Sequence, residues 1–419
     1  MTGAYLSVGI FVVTLALVLW RPRGLSEAIG ASVGAIAVII CRLVSFHDIV
    51  DILRQTANVL LFLIGMMVIT GIAERAGVFD MLAIRAARSA RGSGHLLLLN
   101  VFILGAVITA FLSLDVTIIV LTPIVYAVVA RLDIDPVPYL FACVFVANTA
   151  SLFLPMSNLT NILVYDLLHL SFAHFAAVML LPNLAALAIN IGVFFVIFRA
   201  HIQRHFNVKR IGDFTPRAGY TAAAIGLAAA LVALLLFGLV GYPLALPALV
   251  VGVLLALTSI ARRQSNLAAL RASVTWSLFP FVIAMFIVIR AVEHGWLVRL
   301  SGIPTGNSFE TLIALAAGTG IGANIVNNIP MAVAMISVLR ATGAAVPTHL
   351  AYATLIGTNI GPSIIPIGSL ATMLWLAIVR KRGVAIGTAS YIRIGLIVTP
   401  LMLVAATAAL WIDIHLLHL

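Results

Sequence analysis

Charge is what this chain has least of. Only 9% of its 419 residues are Asp, Glu, Lys or Arg, with 13 acids among them, whereas a soluble domain carries about 25%. A solvated surface cannot be assembled from that composition, which excludes an ordinary soluble globular protein. Cysteine is nearly absent: Cys41 and Cys143 both fall in apolar runs, too few for a disulfide framework or a cysteine-rich metal site. The histidines cluster near the ends of apolar segments, with no i, i+4 pair backed by a carboxylate on one face, so no metal site is expected. There is no Walker A sequence, no HExxH and no nucleophile elbow. The chain therefore handles no ATP of its own, no enzyme chemistry is indicated and no cofactor is expected. The net charge of +11 is spread singly between apolar spans. A nucleic-acid surface needs a basic stripe with interleaved aromatics, and none is present.

What the chain has in abundance is hydrophobic sequence, at 63%, with a mean hydropathy of +1.20. With about 20 apolar residues per crossing, spans are expected at 4–20, 25–43, 56–73, 137–165 and 172–199, then at 218–240, 245–262, 273–292, 348–380 and 391–413. The first is read as a span and not a cleavable signal, because Arg21 and Arg23 follow it instead of preceding it. Two further apolar stretches, 95–131 and 308–342, carry a polar interruption near the middle and are read as re-entrant hairpins. Asp115 stands at one tip and Asn327-Asn328 at the other. Residues 200–217 form the one long polar linker, and Glu74 to Arg91 reads as an amphipathic helix along the inner interface, its arginines reaching headgroups.

The expected fold is thus an all-α polytopic membrane protein with two inverted repeats of five spans each, two re-entrant hairpins and two broken helices. The first repeat covers 1–199 and the second 218–419. With the N-terminus outside, all but five of the 24 basic residues (Arg42, Arg54, Arg290, Arg299 and Arg340) fall on the cytoplasmic side, as the positive-inside rule requires. Counting each hairpin as one full crossing would make each half even and the repeats parallel, and would move Arg380-Lys381-Arg382 outside.

One stretch recurs. Asn148 to Asn161, NTASLFLPMSNLTN, aligns with Asn359 to Thr372, NIGPSIIPIGSLAT: Asn359 follows Asn148, Pro366 follows Pro155 and Leu370 follows Leu159 by 211 residues each. Proline and glycine at mid-span break a helix. An unwound backbone survives in hydrocarbon only when it is wrapped in protein or lines a polar cavity, so paired breaks in two halves point to a transporter's binding site. The breaks carry Asn148, Ser157, Asn158, Thr160 and Asn161 in one half and Thr358, Asn359, Ser363, Ser369 and Thr372 in the other. Singly, any of these could be an inter-helix hydrogen bond; as a duplicated set beside half-helix N-termini they suit a small polar substrate. Asp115 suits an ion or proton pathway, and it could at the same time cap a helix starting at Val116.

These motifs resemble the bacterial arsenite-efflux permeases, the ArsB family, within a superfamily that includes sodium-coupled dicarboxylate carriers and NhaD-type sodium/proton antiporters. The likeness is sharpest at Pro366 to Leu376, PIGSLATMLWL, with support from Asn327-Asn328-Ile329-Pro330, Ser157 to Asn161 and Leu121 to Val125. The resemblance implies export of arsenite or antimonite across a bacterial inner membrane in exchange for protons, with hairpins and broken helices forming a mobile domain. It implies carboxylates where this chain has Asn148 and Asn359, a basic residue at Ser363 and an Asn at Leu114, which leaves Asp115 as the only acid of the core site. A peripheral ATPase subunit and a homodimer are compatible with this reading, and the sequence requires neither. Arsenite at neutral pH is largely an uncharged trihydroxide, which suits amides and hydroxyls, and two cysteines exclude a three-thiolate trap. The alternative within transport is a sodium-coupled small-anion carrier or sodium/proton antiporter.

Overall fold

The computed structural model describes residues 2–20, 25–202, 205–295, 306–341 and 346–417. Arg21, Arg23, Arg204 and Arg299, which enter the charge count, lie outside the described residues, as does Thr342 at the end of the second hairpin stretch. Among the described residues there are nineteen α-helices and no strand. The all-helical expectation therefore holds, and it follows from the solvent: in hydrocarbon only a helix satisfies every backbone N–H and C=O within one segment.

The first half contains α1 (Thr2–Trp20), α2 (Glu27–Ile40), α3 (Phe46–Arg75), α4 (Val78–Ser89), α5 (Gly94–Phe111), α6 (Leu114–Val116), α7 (Thr122–Leu132), α8 (Val137–Ala150), α9 (Leu159–Leu167) and α10 (Phe172–Ile197). The second contains α11 (Tyr220–Val240), α12 (Ala245–Ala261), α13 (Leu267–Ser273), α14 (Leu278–Gly295), α15 (Phe309–Val326), α16 (Asn328–Ala341), α17 (Thr348–Ile360), α18 (Leu370–Lys381) and α19 (Thr388–Ile412). Among the described residues, eight segments are long and apolar enough to cross a membrane, including Gly94–Phe111, Leu114–Leu132 and Phe309–Val326 of the two hairpin stretches. Length alone thus does not separate a re-entrant hairpin from two crossings.

Polar side chains set the helix starts. Ser26, Ser93, Ser171 and Ser308 each accept a hydrogen bond from a first-turn backbone N–H, which satisfies a donor the helix itself leaves free. Ser45 and Asp48 form a reciprocal capping box that starts α3 at Phe46, ten residues before the expected 56. The apolar run alone gave no sign of this, because His47, Asp48, Asp51, Arg54 and Gln55 interrupt it.

The helices pack in two groups. The opening helices of each half, α1 to α3 with α11, α12 and α14, contact one another, while α5, α8, α10, α15, α17 and α19 make up the second group. Within the first, α3 crosses α12 at Gly65, where a Cβ would lie 2.5 Å from the carbonyl carbon of Ala248. Exposed apolar side chains such as Val13, Ile36, Leu236, Val253 and Leu257 cover the outside of this group and face lipid.

The segment after α3 corrects one expectation. The buried face of α4 carries Val78, Phe79, Ala83 and Ala87, but its charges engage the linker: Arg88 pairs with Asp213 at 2.5 Å and Asp80 with Arg217 at 2.8 Å. The linker also donates from the Phe206 backbone N–H to the Gly92 carbonyl at 2.8 Å and pairs Arg210 with Asp133 at 3.6 Å. It is a strap across α4 and α7, and two of the charges there are used on protein.

Candidate functional site

Both breaks form, and they have the same backbone. After α8, a 3-10 turn at Pro155–Ser157 follows Leu154 (φ −121, ψ 154), and α9 starts behind Asn158 (φ −147, ψ 145). After α17, a 3-10 turn at Pro366–Gly368 follows Ile365 (φ −120, ψ 133), and α18 starts behind Ser369 (φ −139, ψ 132). Proline at the first position of each turn loses nothing, since its missing N–H would have been free there. Asn158 caps α9 by accepting from the Thr160 backbone N–H at 3.1 Å. Further along the PIGSLATMLWL stretch, the buried Trp375 donates from Nε1 to the Leu140 carbonyl at 3.0 Å and fixes α18 against α8.

The hairpin tips differ from each other. At the first, Ser113 and not Asp115 is the N-cap: its Oγ accepts from the Val116 N–H at 3.3 Å. This removes the capping role considered for Asp115. Beyond Val116 the chain widens into one π-helical turn, Thr117–Leu121, and Thr117 bonds Thr109 across the hairpin at 2.7 Å. At the second tip Asn327 takes φ 77, ψ 156, a region costly for any residue but glycine and one that clusters at functional sites. Its Nδ2 is buried without a partner. Asn328 Oδ1 accepts from the Ile329 N–H at 3.0 Å.

A cavity of about 430 Å³ collects the tips and the breaks. Of the residues singled out in the sequence, Asp115, Asn158, Asn328 and Ser369 line it, with Ser113 beside them. The half-buried Asp115 carboxylate has neither an ion pair nor a hydrogen-bond donor among the described residues. Asn148, Ser157, Thr160, Asn161, Asn327, Thr358, Asn359 and Thr372, together with Ser363, are buried outside the lining. Glu27 and Glu74 reach the same cavity, so Asp115 is not the only acid on its wall.

Behind the lining, a buried amide network joins the two halves. Asn359 is its centre: its Oδ1 accepts from Asn158 Nδ2 and from Ser151 Oγ (3.0 Å), and its Nδ2 donates to Asn161 Oδ1 (2.8 Å) and the Leu355 carbonyl (2.7 Å). The carbonyls that the first break frees, Ser151 and Leu154, are taken by Asn161 Nδ2 and Ser157 Oγ. Asn148 Nδ2 reaches Thr372 Oγ1 at 3.4 Å.

The second break is held differently, by a residue that sequence reasoning missed. Asn324, on α15, donates to the Gly320 and Gly361 carbonyls at 2.8 and 2.7 Å and accepts from the Ile365 N–H at 3.0 Å. Its one sequence signal is a lone amide in an apolar helix three residues before the tip. Glycine lets α15 reach the break at all, since a Cβ on Gly361 would lie 2.4 Å from Gly320 Cα.

Two half-helices behind matched breaks, two hairpin tips and a cavity between them, inside an all-helical polytopic membrane protein, define a membrane transport protein. The family model for the arsenical pump membrane protein matches residues 6–414, and the chain belongs to that family. An arsenical pump membrane protein of Yersinia enterocolitica is 31% identical over 415 residues, covering 96% of this chain and 97% of the relative. One from Escherichia coli K12 is 29% identical with the same coverage, and a putative one from Bacillus subtilis is 26% identical over 98% of this chain and 99% of its own. The crystal structure of the Alcanivorax borkumensis YdaH transporter matches with a TM-score of 0.59 at 14% identity, over 88% of this chain and 87% of that one. That likeness carries the fold alone.

Proposed function

We propose that this protein exports arsenite and antimonite across the bacterial inner membrane in exchange for protons. The observation that carries the reading is the convergence of Asn158, Asn328 and Ser369 with an unpaired Asp115 on one cavity. Amide and hydroxyl groups match a small neutral trihydroxide that both donates and accepts hydrogen bonds. Family membership supports an arsenical as the substrate. Among the described residues neither Arg nor Lys lines the cavity, which disfavours a dicarboxylate. The freed carbonyls of Ser151, Leu154 and Gly361 already have side-chain donors, which disfavours a sodium ion held by the broken backbone.

Asp115 is the group proposed to carry the coupling proton. Protonated, it leaves the site neutral for passage; ionised, it needs water or a proton source beside it, and substrate binding then competes with protonation at one place. The cavity reaches Glu74, Ser273 and Thr275, close to Arg75 and Arg271, so under the positive-inside reading it faces the cytoplasm. Two inverted repeats, with one hairpin entering from each face, account for the matched breaks.

Uptake into everted membrane vesicles tests the reading. Arsenite should accumulate under an imposed inward-acid gradient without sodium. Accumulation that requires sodium and ignores the proton gradient would favour the sodium-coupled alternative.

A further inference from the structure

Three methionines share the cavity lining with the polar residues. Met66 and Met67 on α3 and Met373 on α18 line it, while Cys41 is exposed at the end of α2 and Cys143 is buried in α8, both away from it. α3 belongs to the first helix group, whereas α18 packs on α7 and on α8 of the second. Met66 and Met67 therefore approach from across the boundary between the groups, whereas Met373 stands one turn beyond Ser369. We propose that these three thioethers form a soft face that selects arsenic(III) and antimony(III) over hard trihydroxides of similar shape. The inference rests on the arsenical reading above. A trivalent arsenic or antimony hydroxide is two-sided, with hydroxyls that hydrogen-bond and a polarisable centre that attracts sulfur. Thioether sulfur is polarisable and neutral, so it cannot displace hydroxide as a thiolate would, and the substrate stays releasable. Antimony, the softer centre, should gain more.

Leucine conserves the volume and removes the sulfur. Met66→Leu, Met67→Leu and Met373→Leu, singly and together, are compared with wild type for binding of antimonite, arsenite and boric acid to the purified protein. The combined variant should bind antimonite about tenfold more weakly, arsenite less affected, and boric acid unchanged. Should the combined variant fail to fold, the single variants give the same ranking. Unchanged antimonite and arsenite affinities in folded variants would overturn the soft face and leave the arsenical reading intact; a wild type that binds neither would overturn that reading itself.

A second observation, independent of the first, lies at the other end of α3. Glu293 of α14 accepts from Ser337 Oγ of α16 and pairs with Arg290 Nε at 2.9 Å. Arg290 Nη1 and His294 Nε2 both reach Asp48 Oδ1 at 3.6 Å, and Asn58 Nδ2 donates to Asp166 Oδ1 of α9 at 3.0 Å. These contacts tie α3 and α14 of the first helix group to α9 and α16. At 1.5 Å per residue Asp48 lies about 39 Å along α3 from Glu74 at the cavity mouth. A pathway open at one end is closed at the other: Glu293–Ser337 lies toward the Asp48 end, Asn58–Asp166 stands one turn before Phe62 of the cavity lining, and both are among the polar contacts on that side. We infer that they form a latch that must part for the cavity to open to the opposite side.

In a cysteine-free background (Cys41→Ser, Cys143→Ala), Glu293→Cys and Ser337→Cys are combined and joined with a short, reducible bifunctional thiol reagent. Cross-linking should abolish arsenite transport and reduction should restore it, while each single-cysteine variant is indifferent to the reagent. A pair that does not cross-link, or a cross-linked protein that still transports at its untreated rate, overturns the latch.

Discussion

Asn158 and Asn359 are both amides at helix breaks, but they differ in what their loss should do. Asn158 and Asn328 touch the cavity, so Asn158→Ala and Asn328→Ala should each weaken arsenite binding by about 0.5–1.5 kcal/mol, the value of one hydrogen bond. Asn359 is buried at the centre of the network, and Asn359→Ala strips the partner from Asn161 Oδ1 and from Asn158 Nδ2 at once. Its cost of about 1–3 kcal/mol should appear first in stability and only then in affinity. Binding and thermal unfolding of the three purified variants separate the two cases: Asn359→Ala with unchanged unfolding would place the network outside the fold's support. Asp115→Asn keeps the shape and the hydrogen bonding but cannot titrate. It should still bind arsenite and lose accumulation against a gradient; everted vesicles that accumulate arsenite as wild type does would show that the proton travels elsewhere.

At the scale of elements, the second hairpin and the second break behave as one piece. α15 meets the break backbone to backbone at Gly320 and Gly361, and Asn324 bonds both strands of the unwound segment. Gly361→Ala drives a methyl group into main chain that cannot give way, and should destabilise by about 1–3 kcal/mol. Gly318→Ala, on α15 with nothing within 4 Å of the added carbon, is the control and should leave the melting temperature in detergent unchanged. Equal melting for both variants would mean that α15 and α17 are not pressed together there. The positions of the helix stops were legible in advance, because Pro155, Pro366, Gly361 and Gly368 interrupt apolar runs whatever the surroundings. The backbone groups those stops release were not assignable. Asn161 serves the first break from within it, Asn324 serves the second from a hairpin some forty residues earlier, and no periodicity links the two.

For the whole molecule, the decisive question is orientation. Lys209 and Tyr242 are both exposed, one in the linker strap and one in the turn after α11. Under the inverted arrangement, a single cysteine at 242 should react with an impermeant reagent on intact cells and one at 209 should react only after permeabilisation. The reverse pattern would turn the protein over in the membrane and move the cavity mouth to the outside.

By itself the sequence determined the solvent and the chain's path through it. A 9% charged chain with 63% apolar residues has to be helical and multi-pass, and prolines repeated 211 residues apart within apolar runs have to break helices wherever those runs are placed. Those consequences are local or compositional, so no partner is needed to read them. Only the tertiary structure decided which polar groups face a ligand and which face one another. A helical position fixes the direction of a side chain but not what stands opposite, and Asn158 meets both the cavity and Asn359 because α9 and α17 are brought together by chain more than 190 residues apart. The same holds for Met66, Glu74 and Asn324, ordinary residues in apolar helices until packing placed them beside the site.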